Sequence, residues 1–348
     1  DVPFVQLVTG PMSTGSFRGQ RVGACTDCRR LWADYRADRL DAAAIAEAND
    51  ALVPTVGTCG VMGTASTMAL LVEALGLAPL GSASAPAVSA DRRRIAEETG
   101  QLAVDMAQRK ARPAAYLSKA SFENAMRVLL AVGGSTNAII HLTAMAGRLG
   151  IKLSLDRLDE LSRDTPVIVD LKPSGTGYME DLHAAGGGVK VLAELADCLD
   201  LGVMTLTGRT LADELAQTVI PDWPQDIVKP ASRPVYAEGG LAVLYGNLAP
   251  DGAIIKQAAA SAHLLSHTGR AVVFEDMADL AARIDSPDLD VEEDDILVLR
   301  QIGPKGAPGM PEAGLIPIPK KLAQAGVKDM VRISDGRMSG TAAGTIVL

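Results

Sequence analysis

The hydrophobic pattern of this chain changes once, near Pro221, and that change limits the folds open to it. Before it, apolar residues recur at helical spacing over long stretches; after it, short β-branched runs alternate with loops rich in proline and charge. In the first part the spacing predicts helices over Ile45–Leu52, Ser66–Leu75, Phe122–Val132 and Val189–Leu195, and another from Ser135 to about Leu149. Ser89-Ala90-Asp91 is suited to cap a further helix, with Ile95, Leu102, Val104 and Met106 as its apolar positions. Val5–Val8 and Val167–Asp170 read as short strands among these helices. The expectation is an α/β fold: a layered α/β/α domain over residues 1–225, then a β-rich domain over residues 226–348. The strands of the second domain are expected around Leu241–Tyr245, Ala271–Phe274 and Ile296–Leu299.

Composition constrains the packing of those elements. Apolar residues make up 48% of the chain but aromatics only 3%, so the core must be filled by Ala, Val, Leu, Ile and Met, and 34 glycines permit close helix-on-sheet approach. With 33 basic and 42 acidic residues the net charge is −9 and no basic block stands out, which argues against nucleic acid or an anionic membrane surface as a partner. Glu73 interrupts the longest apolar stretch, leaving nothing long enough to span a bilayer. Four cysteines in 348 residues are not a disulfide framework. A soluble protein of the reducing cytoplasm is the expected setting. The chain opens on Asp1 and closes on the apolar run Gly344-Thr345-Ile346-Val347-Leu348, so it is expected to be a portion of a longer polypeptide.

Three glycine-bearing segments carry candidate chemistry. In Ile333-Ser334-Asp335-Gly336-Arg337-Met338-Ser339-Gly340-Thr341, a serine follows a charged turn and precedes glycine, the setting of a displayed hydroxyl. Gly303-Pro304-Lys305-Gly306-Ala307-Pro308-Gly309-Met310-Pro311-Glu312-Ala313-Gly314 surrounds one carboxylate with fixed and free backbone angles, a rigid irregular loop. Gly57-Thr58-Cys59-Gly60-Val61-Met62-Gly63-Thr64 runs into an apolar helix, whose free amides and dipole would favour a Cys59 thiolate.

In this order, and with Gly133-Gly134-Ser135-Thr136-Asn137-Ala138, Asp170-Leu171-Lys172-Pro173-Ser174-Gly175 and Gly246-Asn247-Leu248-Ala249-Pro250-Asp251-Gly252-Ala253, these segments resemble the dihydroxy-acid and sugar-acid dehydratase family over nearly the whole chain. The resemblance implies a hydro-lyase that converts a 2,3-dihydroxy carboxylic acid, a small-molecule substrate, into a 2-keto acid. It implies that Cys59 is a ligand of an iron-sulfur cluster (2Fe-2S favoured, 4Fe-4S the alternative) and that Glu312 is a Mg²⁺ ligand. It gives Ser339 the role of proton-abstracting base and Thr341 a part in binding substrate or orienting the serine. It also implies that the second domain is a barrel-like swivelling module, that two further cluster cysteines lie upstream, and that the assembly is a homodimer or homotetramer. The Met338 and Thr341 context, Ala307 and Thr9-Gly10-Pro11-Met12 look more like the sugar-acid branch, with pentonates or hexonates as substrates, than the branch serving branched-chain amino-acid synthesis.

Other features read as structural. Cys25-Thr26-Asp27-Cys28 has metal or redox spacing, but Cys198 does not complete a second half, so the pair is assigned a structural or incidental role. His141, His183, His263 and His267 lack evident partners, even though His263 and His267 have helical spacing. Gly186-Gly187-Gly188 lacks the residues of a phosphate loop and reads as a turn before a helix. Two other classes stay open, a non-catalytic scaffold relative and a plain zinc-binding module.

Overall fold

The computed structural model describes residues 2–307, 309 and 311–348, so Pro308 and Met310 of the Glu312 loop lie outside the described residues. A β-hairpin, β1 (Gly15–Phe17) and β2 (Gln20–Val22), opens the chain. Helices α1 (Thr26–Arg36), α2 (Ala42–Leu52), α3 (Thr64–Ala74), α4 (Ala90–Arg109), α5 (Lys119–Ala131), α6 (Asn137–Arg148), α7 (Leu155–Arg163), α8 (Met179–Ala184), α9 (Gly187–Glu194) and α10 (Leu211–Gln217) follow. Strands β3 (Ala242–Leu244), β4 (Ala253–Ile255), β5 (Ala271–Phe274), β6 (Ile296–Leu299), β7 (Arg332–Ser334) and β8 (Ile346–Val347) then alternate with α11 (Met277–Arg283), before β6, and α12 (Lys320–Gln324), before β7. The fold is α/β.

Local chemistry sets many of the helix starts. Ser89 Oγ accepts from the Arg92 amide at 3.1 Å and begins α4, and Ser118 with Ser121 forms a reciprocal cap on α5. Such caps satisfy amides that the helix leaves without internal partners. The predicted helices all form, within two residues of their expected starts except α2 and α5, which begin three residues early, at Ala42 and Lys119, behind their Asp41 and Ser118 caps. The α4 stripe holds at Met106, which is fully buried, but Val104 is 59% exposed.

The two short strands expected among the helices do not form ladders. Val5–Val8 carries no strand pairing, and Gln6 N donates to Leu77 O at 2.8 Å as a single tie. Val167–Val169 is wholly buried but makes only isolated bridges, to Tyr236 and Val228. Apolar runs of this length fit a buried extended segment as well as a strand.

All six strands of the second half form one sheet, ordered β3-β4-β8-β7-β6-β5. From β5 to β8 neighbours are parallel, whereas β4 is antiparallel to both β8 and β3. Among the described residues β3 and β5 are its edges. A large core beneath α3, α5, α6 and α9 also takes Leu241, Val243 and Ile254 from the β3–β4 side. A second core, with Phe274, Leu297, Leu299 and Met338, lies on the sheet, and a small third one joins the hairpin to α1 and α2. Phe122 and Phe274 are the only aromatic rings among the largest fully buried side chains, as the composition demands. Glu73, the break in the apolar stretch, is buried in α3 and accepts from the Gly81 and Ala83 amides at 2.9 and 2.8 Å. Burial pushes its carboxyl up to about 7 against those amides.

Candidate functional site

Parallel strands place the two catalytic-loop candidates side by side. The segment leaving β6 leads to Glu312 and the segment leaving β7 leads to Ser339; because β6 and β7 are parallel neighbours, both emerge at the same edge. Ligand sites of open α/β sheets form beyond such carboxyl ends. Asp335 ties the two loops by accepting from the Gln301 and Ile302 amides at 3.2 and 3.1 Å. Further along, Glu312 bridges Arg337, and Ser339 N donates to Gly314 O at 3.0 Å.

Ser339 is half-buried, with Oγ 2.8 Å from Thr341 Oγ1 and within 3.4 Å of the Thr341 amide that donates to it. Thr341 itself is buried; its methyl meets Gly63, where an added Cβ would lie only 2.7 Å away, and its carbonyl accepts from Thr26 Oγ1 at 3.3 Å. Glu312 is exposed and accepts from Arg337 at 2.8 Å, so its carboxylate already faces one cation.

The cysteine loop reaches the same place from the helical half. Thr58 bridges Pro11, and the loop's backbone is tied by Met62 N to Lys172 O and Met179 N to Gly60 O, both at 2.9 Å. Its Cys59 thiol donates to Ala24 O at 3.3 Å and has the Cys25 thiol as a neighbour. Cys25 sits at the centre of a γ-turn, with φ 70° and a Thr26 N to Ala24 O bond of 3.1 Å, an uncommon and strained geometry for a side-chain-bearing residue.

The structure departs from one expectation, that of a Cys59 thiolate favoured by its helix. The Cys25 and Cys28 pair is divided, Cys28 packing on the hairpin core while Cys25 turns to Cys59. The neighbouring Cys59 thiol pulls Cys25 down to about 6, helped by Thr341 and the positive Arg29, whereas the Cys25 neighbour and burial push Cys59 up. The helix dipole at α3 does not make Cys59 the more acidic thiol of the two, because burial and a neighbouring thiol outweigh it.

Asn137, at the start of α6, joins all three loops. It is fully buried, and its Nδ2 lies 3.0 Å from Thr64 Oγ1, 3.3 Å from Glu312 Oε2 and 3.4 Å from Met338 O. Its Oδ1 has no partner among the described residues. Sequence reading noted the Gly133–Ala138 run without giving Asn137 a role; an amide where an apolar helix begins was the available signal. The histidines stay outside the site. His183 does have a partner, Asp91 at 3.1 Å, contrary to expectation. His263 lies in a single tight turn over residues 262–264 and His267 beyond it, bonded to Asp294 O, so no helix aligns them.

Residues 1–214 match the dihydroxy-acid/6-phosphogluconate dehydratase N-terminal family, and residues 226–348 match its C-terminal counterpart. The chain belongs to this dehydratase family. Among curated members, an L-arabinonate dehydratase of Rhizobium leguminosarum bv. trifolii is 47% identical over the whole chain, and a 6-deoxy-6-sulfo-D-gluconate dehydratase of Pseudomonas putida is 43% identical. A dihydroxy-acid dehydratase of Methanothrix thermoacetophila is 39% identical, again over the whole chain. The chain spans 60–62% of the length of these family members. Among the described residues no three His, Cys, Asp or Glu side chains come together to hold a metal, and no helix is long and apolar enough to cross a membrane.

Proposed function

We propose that the polypeptide is a hydro-lyase that removes water from a sugar acid, a pentonate or hexonate, to give a 2-keto-3-deoxy acid. The observation that carries this reading is the convergence on Asn137 of the three segments that bear Cys59, Glu312 and Ser339, through Thr64, Glu312 itself and the Met338 carbonyl. Cys59 suits an iron-sulfur cluster and Glu312 suits Mg²⁺ by donor type, each as one ligand of a set that the remaining part of a longer chain must complete. When bound, Mg²⁺ would acidify the C2 proton of the substrate and the cluster would serve as Lewis acid for the 3-hydroxyl.

The chain's own residues do the rest. Ser339, as its alkoxide, takes the C2 proton; the Thr341 amide and hydroxyl steady it from 3.4 and 2.8 Å. Asn137 holds Glu312 and the serine loop in fixed relation through Glu312 Oε2 and Met338 O. Arg337, paired with Glu312, keeps positive charge beside the site, which suits an anionic substrate. The sugar-acid choice is supported by members named for arabinonate and sulfogluconate at 47% and 43% identity, against 37–40% for members named as dihydroxy-acid dehydratases. Residues 1–225 and 226–348 serve as two units, a reading supported by confinement of the six-stranded sheet to the second.

The test is keto-acid formation by the full-length, anaerobically purified protein on a panel of aldonates beside a branched-chain dihydroxy acid. Turnover of an aldonate well above the branched-chain acid is expected. Preference for the branched-chain acid would move the chain to the other branch, and no turnover of either would favour the scaffold reading.

A further inference from the structure

Lys256 follows β4 directly and is only 6% exposed, beneath the serine loop. Its ammonium donates to Gly340 O at 3.0 Å, and among the described residues it has no carboxylate and no second hydrogen-bond partner. With Thr136, Met338, Ser339 and Ala342 it lines a small cavity under the turn. An ammonium has three donors, and burying it on a single carbonyl costs several kcal/mol that a methionine in the same space would not. Burial, with no charged neighbour to offset it, pushes Lys256 down to about 7. Such a costly group beside a reactive side chain calls for a functional return.

The geometry supplies one. The Gly340 carbonyl that Lys256 holds and the Thr341 N–H that donates to Ser339 Oγ belong to the same peptide unit. A donor on the carbonyl polarises that unit and strengthens its N–H as a donor. From the opposite side the turn is blocked by Ser135, since a Cβ added to Gly340 would lie 2.2 Å from Ser135 Oγ. We propose that Lys256 is the positioning residue of the serine turn, clamping the Gly340–Thr341 peptide so that its N–H stabilises the alkoxide of Ser339. The proposal rests on Ser339 being the base. The lysine touches neither substrate nor reacting atoms.

Lys256→Met in the full-length, metal-loaded enzyme should lower kcat by ~10–100-fold, the scale of a misplaced catalytic group, with KM within about threefold and the melting temperature equal or higher. In Lys256→Ala, added propylamine should restore part of kcat in a saturable manner, while propanol, which fills space without charge, should not. If Lys256→Met does not fold, the amine rescue decides. A kcat within twofold of wild type in Lys256→Met, or equal rescue by propanol and propylamine, would overturn the proposal. Ser339→Ala, run in parallel, separates the two claims. If it is inactive while Lys256→Met is normal, only the lysine proposal falls; if it still turns over, the base assignment falls and the lysine proposal with it.

Discussion

Two buried polar clusters lie close together in this molecule, and they are built on opposite terms. In the first, Asp27 is bound by Lys172 at 2.9 Å, by Tyr178 Oη at 2.8 Å and by the Gly23 amide at 2.9 Å, while Lys172 also donates to Tyr178 at 2.5 Å. Charge meets opposite charge and the carboxylate's oxygens are all used. In the second, around Ser339, Cys25 holds a strained backbone, Asn137 Oδ1 has no partner among the described residues, and Lys256 has one carbonyl for three donors. Both clusters join distant segments. A saturated network fixes α1 to the 172–178 turn, whereas the one around Ser339 holds polar groups without their full set of partners among the described residues.

The largest expected effect lies in the unsaturated cluster. Ser339→Ala should cut dehydration by ~10²–10⁴-fold or more, the usual weight of a general base, without altering the melting temperature. Turnover within a few-fold of wild type would return Ser339 to the status of a loop serine. Glu312→Gln should also lower activity sharply, and excess Mg²⁺ should recover part of it; normal activity at limiting Mg²⁺ would remove Glu312 from the metal set.

In the saturated cluster the order of effects should reverse, with stability responding first. Asp27→Ala leaves Lys172 and Tyr178 facing each other without the carboxylate and should cost about 3 kcal/mol, read as a shift in denaturation midpoint at constant slope. Burial alone would raise the Asp27 pKa, but the Gly23 amide, Lys172 and Tyr178 together outweigh it and hold the carboxyl below its ordinary value. A depressed folded pKa means that the unfolded chain binds the proton more readily. The stabilisation is therefore full above the unfolded value of about 4 and is lost as pH falls through the folded one. Asp27→Asn should flatten the acid limb of the stability profile, and an unchanged limb would show that the cluster does not carry it.

Legibility from sequence followed the range of the interactions. Helix starts were readable because a cap such as Ser89 acts on an amide three residues away. Strands β3, β5 and β6 were readable because short apolar runs sit between turn residues, while β4 and β7 were passed over as loop and Val167–Val169 misled because burial alone does not make a ladder. The loops bearing Cys59, Glu312 and Ser339 were legible as glycine-rich motifs, and the structure brings them together. What joins them was not legible. The Asn137 contact with Met338 spans 201 positions and that of Lys256 with Gly340 spans 84, distances over which local context does not name the partner. The turn at Cys25 was not legible either, since the nearness of Cys28 in sequence carries no sign of the positive φ that directs the two thiols apart.

A moderate effect is expected at the hub of the unsaturated cluster. Asn137→Ala removes donors to Glu312, Thr64 and Met338 O, so kcat should fall ~10-fold, with a stability loss of about 1–2 kcal/mol. A stability loss with unchanged kcat would move Asn137 into the structural class.

The smallest expected effect contrasts the two cysteines that the sequence pairs. Cys28 lies on α1 against the hairpin core, beside Leu31 and Ile45, and burial pushes its thiol up, so it should behave as a small apolar residue. Cys28→Ala should leave activity and iron content unchanged and cost no more than about 1 kcal/mol. Cys25→Ala takes away the thiol beside Cys59 and relaxes nothing in the γ-turn, because alanine also disfavours positive φ. Alkylation by iodoacetamide near pH 7 distinguishes the pair without any need for turnover: in protein freed of metal by a chelator, Cys25 should react well ahead of Cys28, since reactivity follows the thiolate fraction. Equal rates at the two positions would mean that the Cys59 neighbour does not activate Cys25 and would erase this local difference between the two regions.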